Sequence, residues 1–135
     1  MERSLLHAHE DALSFGDYTL QKKEKVEGFK LRDDTYNLKT HNEVTRLEKN
    51  SILLFEAVPG ATVHNLAIQE HEISFSIEGL GDTSVTMQLE GDTLYRINDE
   101  KNNSIGSVKS NLSGKINFSL DLNPGKETRC IIKKL

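Results

Sequence analysis

The stretch "PGATVHN", Pro59 to Asn65, is where chemistry would gather in this chain. A Pro-Gly pair turns the backbone. Thr62, His64 and Asn65 follow closely and offer a hydroxyl, an imidazole and an amide. Just ahead of the turn, Glu56 interrupts the apolar run "ILLFEAV" at 52–58. A carboxylate in apolar surroundings needs a cation partner, and Arg46 or Lys39 could supply it. Glu56, Thr62, His64 and Asn65 are therefore the candidate ligand-binding residues.

Other reactive groups form weaker patterns. Glu70, Glu72, Glu78, Glu90, Asp92 and Asp121 add carboxylates, and a glycosidase needs a pair of them across a sugar-sized cleft. His7-x-His9, followed by Glu10 and Asp11, would put both imidazoles on one face of an extended strand. That segment reads instead as a polar arm, so no metal and no cofactor are expected. Cys130 is the single cysteine and has no neighbouring histidine in sequence; a buried lone cysteine behaves as a small apolar group. There is no G-x-S-x-G elbow, no phosphate-binding glycine loop and no EF-hand spacing in "DEKNNSIGS". No catalytic residue is assigned. Trp is absent, and Tyr18, Tyr36 and Tyr95, the amphipathic rings, read as core-edge side chains rather than sugar platforms.

The elements that must position these groups are strands. From Asp17 onward the hydrophobic period is two, which marks half-buried β-strands. "EISFSIEG" at 72–79 points Ile73, Phe75 and Ile77 one way, and "SVTMQLEG" at 84–91 does the same with Val85, Met87 and Leu89. "GSVKSNLSGKINFSLDL" ends in a strictly alternating strand. Ile116, Phe118, Leu120 and Leu122 face inward there, while Asn117, Ser119 and Asp121 face water or a neighbouring subunit. The continuous apolar run 52–58 fits a strand covered on both faces. Further strands are expected at 18–20, 29–32, 35–41, 44–49, 61–68, 93–98 and 128–134, with 21–28 as a polar connection holding at most a helical turn. Short strands separated by Gly, Pro, Asn and Asp clusters indicate a sandwich or barrel. The expected fold is all-β: one antiparallel β-sandwich domain over 15–135, immunoglobulin-like or jelly-roll-like, with about ten short strands. Residues 1–14, with Leu5, Leu6, His9 and Leu13 at roughly helical spacing, are expected to form a mobile arm or one helical turn.

The bulk properties narrow the function. The 135 residues fit a single domain with its own core. A net charge of −4 argues against a protein that grips nucleic-acid backbones. No apolar stretch is long enough for a membrane span, and the N-terminus lacks the pattern of a secretion signal. One cysteine and no possible intrachain disulfide favour a reducing compartment. A cytoplasmic location is expected.

"SFGDYTL", "YNLKTHNEVTRLEKN", "EAVPGATVHN" and "GSVKSNLSGKINFSLDL" together resemble a family of small bacterial proteins labelled endosialidase-like. The resemblance runs from about Ser14 to the C-terminus. The sialidase signature S-x-D-x-G-x-T-W cannot occur in a chain without Trp. Arg3, Arg32, Arg46, Arg96 and Arg129 show no triad spacing. The last strands also look like those of immunoglobulin-like accessory modules. The expected function is a non-enzymatic module that binds another protein or itself as a homo-oligomer. The alternative is a small glycan-acting hydrolase or carbohydrate-binding module using carboxylates near the Pro59-Gly60 turn.

Overall fold

The computed structural model describes residues 5–99 and 104–135. Among them thirteen strands run in chain order. These are β1 (Leu6–His9), β2 (Ala12–Phe15), β3 (Glu24–Leu31), β4 (Asp34–Thr40), β5 (Thr45–Lys49), β6 (Ile52–Val58) and β7 (Ala61–Ile68). β8 (Glu72–Gly79), β9 (Asp82–Gln88), β10 (Leu94–Asn98), β11 (Ser104–Lys109), β12 (Lys115–Asp121) and β13 (Thr128–Lys134) complete the set. They form an antiparallel β-sandwich. A seven-stranded sheet has the order β1-β2-β7-β8-β13-β10-β11, and a six-stranded sheet the order β12-β9-β6-β5-β4-β3. No helix among the described residues is long and apolar enough to cross a membrane.

Side chains that alternate inward from both sheets make the core. Phe75, Ile77, Val85 and Met87 are fully buried, as their alternation predicts. Phe55 is fully buried too, but the run 52–58 is not covered on both faces as expected, since Ile52 and Val58 are exposed and Glu56 projects outward. Phe118 is only half-covered, although it lies on the same face of β12 as the buried Ile116 and Leu120. The ring of Phe55 stands edge-on to Phe15 at 5.3 Å and to Phe75 at 5.7 Å. Cys130 is also completely buried. Desolvation pushes its thiol up to about 12, against the weaker pull of the Arg129 charge. The native thiol therefore stays protonated while an unfolded one ionises, so stability falls as pH climbs from about 9 toward 12. A thiol reagent at pH about 8 is expected to leave the native chain unmodified and to label the urea-unfolded chain.

Three further expectations need correction. Among the described residues the strand count is thirteen, not about ten. Residues 6–15 are neither an arm nor a helical turn but the β1–β2 hairpin, with Leu6 opposite Phe15 and β2 laid against β7. Leu6, Leu13 and Phe15 are buried in the common core, so the sandwich begins by Leu6 rather than at 15. The reversal at Glu10–Asp11 is local, with Glu10 at φ 57; residues 1–4 of the expected arm lie outside the described residues. Finally, 18–20 is a turn, and the Lys-rich connection contributes most of β3. The period-two signal of β3 is broken by a bulge between Val26 and Phe29, where Gly28 has φ 71. The bulge lets Val26 and Phe29, an odd number of positions apart, face the same core.

Candidate functional site

Both sheets meet the Pro59-Gly60 turn at one end of the sandwich. The Val58–Pro59 peptide is cis, and the Gly60 N–H donates to Asn42 O at 3.0 Å. A Cβ on Gly60 would overlap the carbonyl oxygen of His41, so no side chain fits there. Behind the turn runs a chain of buried hydrogen bonds in which each hydroxyl proton has one use. Asp17 N–H donates to Thr40 Oγ1 at 2.9 Å, and Thr40 and Thr45 hydroxyls meet at 2.8 Å. The Thr45 hydroxyl donates to Ala61 O at 2.9 Å and accepts from Ala61 N–H at 3.0 Å. Thr45 is in the six-stranded sheet and Ala61 in the seven-stranded one, so this hydroxyl ties the sheets together where β7 begins.

From that anchor β7 alternates. Ala61 and Val63 point into the core, so Thr62 and His64 point to the outer face of the seven-stranded sheet, where His64 is half-buried and Thr62 remains buried. β8 lies in register beside it: Thr62 is opposite Glu78 and His64 opposite Ser76. With Ile77 and Phe75 buried, Glu78 also points outward. His64 Nε2 and Glu78 Oε2 are 3.2 Å apart. The other Glu78 oxygen accepts from the Tyr18 hydroxyl at 3.0 Å, and that hydroxyl accepts from Gly125 N–H at 2.9 Å. Burial raises the Tyr18 phenol above its ordinary value, opposed by the Gly125 N–H and reinforced by Glu78, so it remains a donor. The Thr62 hydroxyl accepts from Tyr18 N–H at 3.4 Å. Glu127, just before β13, completes a cluster with His64 and Glu78 whose donor atoms all lie within 4.8 Å of one another.

The structure thus brings together Thr62 and His64 from the candidate set and separates the other two. Glu56 lies on β6 between the buried Phe55 and Ala57, and so projects from the outer face of the opposite sheet. There it accepts from Arg46 Nη1 at 2.8 Å, one of the two partners expected for it, and this bond is the main reason the Arg46 guanidinium is held above its ordinary value. A hydrolytic site combining Glu56 with His64 is therefore ruled out by geometry, since the two face away from each other across a sandwich about 10 Å thick. Asn65 sits at a bulge with φ 56, its N–H donating to Ser14 Oγ at 3.0 Å. It lines an open depression of about 400 Å³ with His9, Glu10, Ser74 and Arg129. Tyr18 and Glu127 were missed as site residues, and Glu78 was one carboxylate among several. The outward phase of Glu78 in "EISFSIEG" was the available signal; the approach of Glu127 is a matter of tertiary folding.

No protein-family model, curated protein or solved structure matches this chain.

Proposed function

We propose that the chain is a self-associating β-sandwich module whose copies join through β12. The observation that carries this reading is the self-complementarity of "KINFSLD". β12 is the terminal strand of the six-stranded sheet. Its seven residues pair with β9 without a register shift. The charges of β12 stand only at its ends, in Lys115 and Asp121. A long, regular edge of this kind is a template for another strand. The opposite edge is built differently: β3 carries Glu24, Lys25, Glu27 and Lys30 and a bulge, and β1 is short. Those features discourage edge pairing.

An antiparallel pairing of β12 with its copy, centred on Phe118, matches every position. Lys115 falls opposite Asp121, Ile116 opposite Leu120 and Asn117 opposite Ser119, and the half-covered Phe118 meets its equivalent on the two-fold axis. Opposite residues share a face, as a continuous sheet requires. The register also meets a need within the chain. Asp121 lies directly opposite Asp82 in the β9–β12 ladder, and like charges so placed repel. Lys115 of a second copy brings a cation to that pair. The outer face stays polar, with Asn117 Nδ2 donating to Ser84 Oγ and Thr86 Oγ1, each at 2.9 Å. The buried single cysteine accords with a cytoplasmic setting.

Size-exclusion chromatography with light scattering is expected to give a concentration-dependent mass approaching twice 15.2 kDa. Asp121→Lys places Lys opposite Lys and is expected to weaken the dimer about tenfold or more. Adding Lys115→Asp to Asp121→Lys restores opposite charges and is expected to recover association. A monomer at every concentration, or a double variant no better than the single one, contradicts the reading.

A further inference from the structure

We infer that His64, Glu78 and Glu127 form a binding site for a divalent first-row transition ion, with zinc as its representative. The inference concerns the outer face of the seven-stranded sheet and does not depend on association through β12. One imidazole nitrogen and two carboxylate oxygens are the donors that such ions take, whereas calcium and magnesium favour all-oxygen shells. The geometry is close to what zinc needs. Bonds of about 2.0–2.1 Å in a tetrahedron put neighbouring donors about 3.4 Å apart. His64 Nε2 and Glu78 Oε2 already stand at 3.2 Å. Glu127, the third donor, is exposed and lies outside the strand ladder, so its side chain is free to close the remaining gap from within 4.8 Å.

The surroundings favour an ion over a simple contact. The Tyr18 hydroxyl holds one Glu78 oxygen and Gly125 N–H holds the Tyr18 hydroxyl, which leaves the other carboxylate oxygen aimed at His64. Outer hydrogen bonds of this kind fix the orientation of metal-binding carboxylates. His64 and Glu78 are half-buried, so an ion there is partly shielded from water. Arg129 stays outside the cluster, opposite Ser76 in the β8–β13 ladder and so in the same row as His64; its cation opposes an ion there, and the two carboxylates outweigh it. A bound ion would clamp β7 and β8 to the start of β13 and keep a fourth position for water or a small anionic ligand.

Calorimetric titration of the EDTA-treated, dialysed chain with zinc chloride tests this directly. One saturable equivalent is expected. His64→Gln and Glu127→Gln are each expected to weaken it about tenfold or more, while their thermal unfolding without metal stays close to that of the parent. Cobalt substituted for zinc is expected to give the visible absorption of a low-symmetry N,O site, lost in both variants. His7, His9, His41 and His71 lie outside the cluster and serve as the alternative binders. Uptake that is unchanged in both variants belongs to those histidines and overturns the assignment, as does the absence of saturable uptake.

Discussion

Replacing Phe55 by Ala is expected to remove about 3–5 kcal/mol of stability. The ring has no exposed surface and is wedged from the six-stranded sheet between Phe15 and Phe75 of the other sheet. Truncation loses its transfer free energy, leaves a cavity that two sheets cannot readily collapse around, and deletes two edge-to-face contacts worth about 0.5–1.5 kcal/mol each. These terms overlap, so they do not sum. A domain has roughly 5–15 kcal/mol in hand, so the variant is expected near the limit of folding. Phe55→Leu keeps most of the volume and is expected to fold with a smaller loss. Urea unfolding followed by far-ultraviolet circular dichroism reads both. An Ala variant within about 1 kcal/mol of the parent would mean that the rings are not the centre of the core.

The second large effect is polar. Thr45→Val keeps the shape of the side chain and removes its hydroxyl, which accepts from Ala61 N–H and donates to Ala61 O. The Thr40 hydroxyl loses its acceptor in the same step and keeps only the bond it accepts from Asp17 N–H. Thr40, Thr45 and Ala61 are all without exposed surface, so water cannot take over. Stranding a buried donor costs about 1–3 kcal/mol, and two are stranded here. The expected loss is about 2–4 kcal/mol, against a clearly smaller one for Thr45→Ser, which keeps the hydroxyl. Because the bond anchors the first residue of β7, hydrogen exchange is expected to accelerate at 61–64 in the Val variant before the rest of the sheet. Equal losses for Val and Ser would show that shape, not the hydrogen bonds, decides the matter.

The contrast between these sites explains what could be read from sequence. Regular strands were legible because their alternation is the fold: Ile73, Phe75 and Ile77 in β8, and Ile116 and Leu120 in β12, are buried as their spacing implies. Bulges hid the rest. In β7, Val63 and Leu66 are both buried although an odd number of positions separates them. The bulge at Asn65, with its positive φ, inverts the phase between them. Counting back by twos from Leu66 would have buried His64; the bulge turns it outward beside Glu78. The bulge at Gly28 concealed β3 in the same way, and a hairpin at Glu10–Asp11 mimicked the spacing of a helical turn. The site was half legible for a related reason. Thr62 and His64 share a strand, whereas Tyr18, Glu78 and Glu127 reach them from three other segments. Glu56 looked close only because the chain crosses from one sheet to the other at Pro59.

The polar face of β12 bears most directly on the proposed association. Asn117, Ser119 and Asp121 are exposed, as expected. What alternation could not reveal is that their strand ends a sheet and that its residues match their own reversed order. Hydrogen exchange of the backbone amides, measured at low and at high protein concentration, tests that account. Slower exchange at high concentration is expected within Lys115–Asp121, with no change in the charged and bulged Glu24–Leu31. Exchange in β12 that does not respond to concentration, or protection that arises at β3 instead, would contradict it.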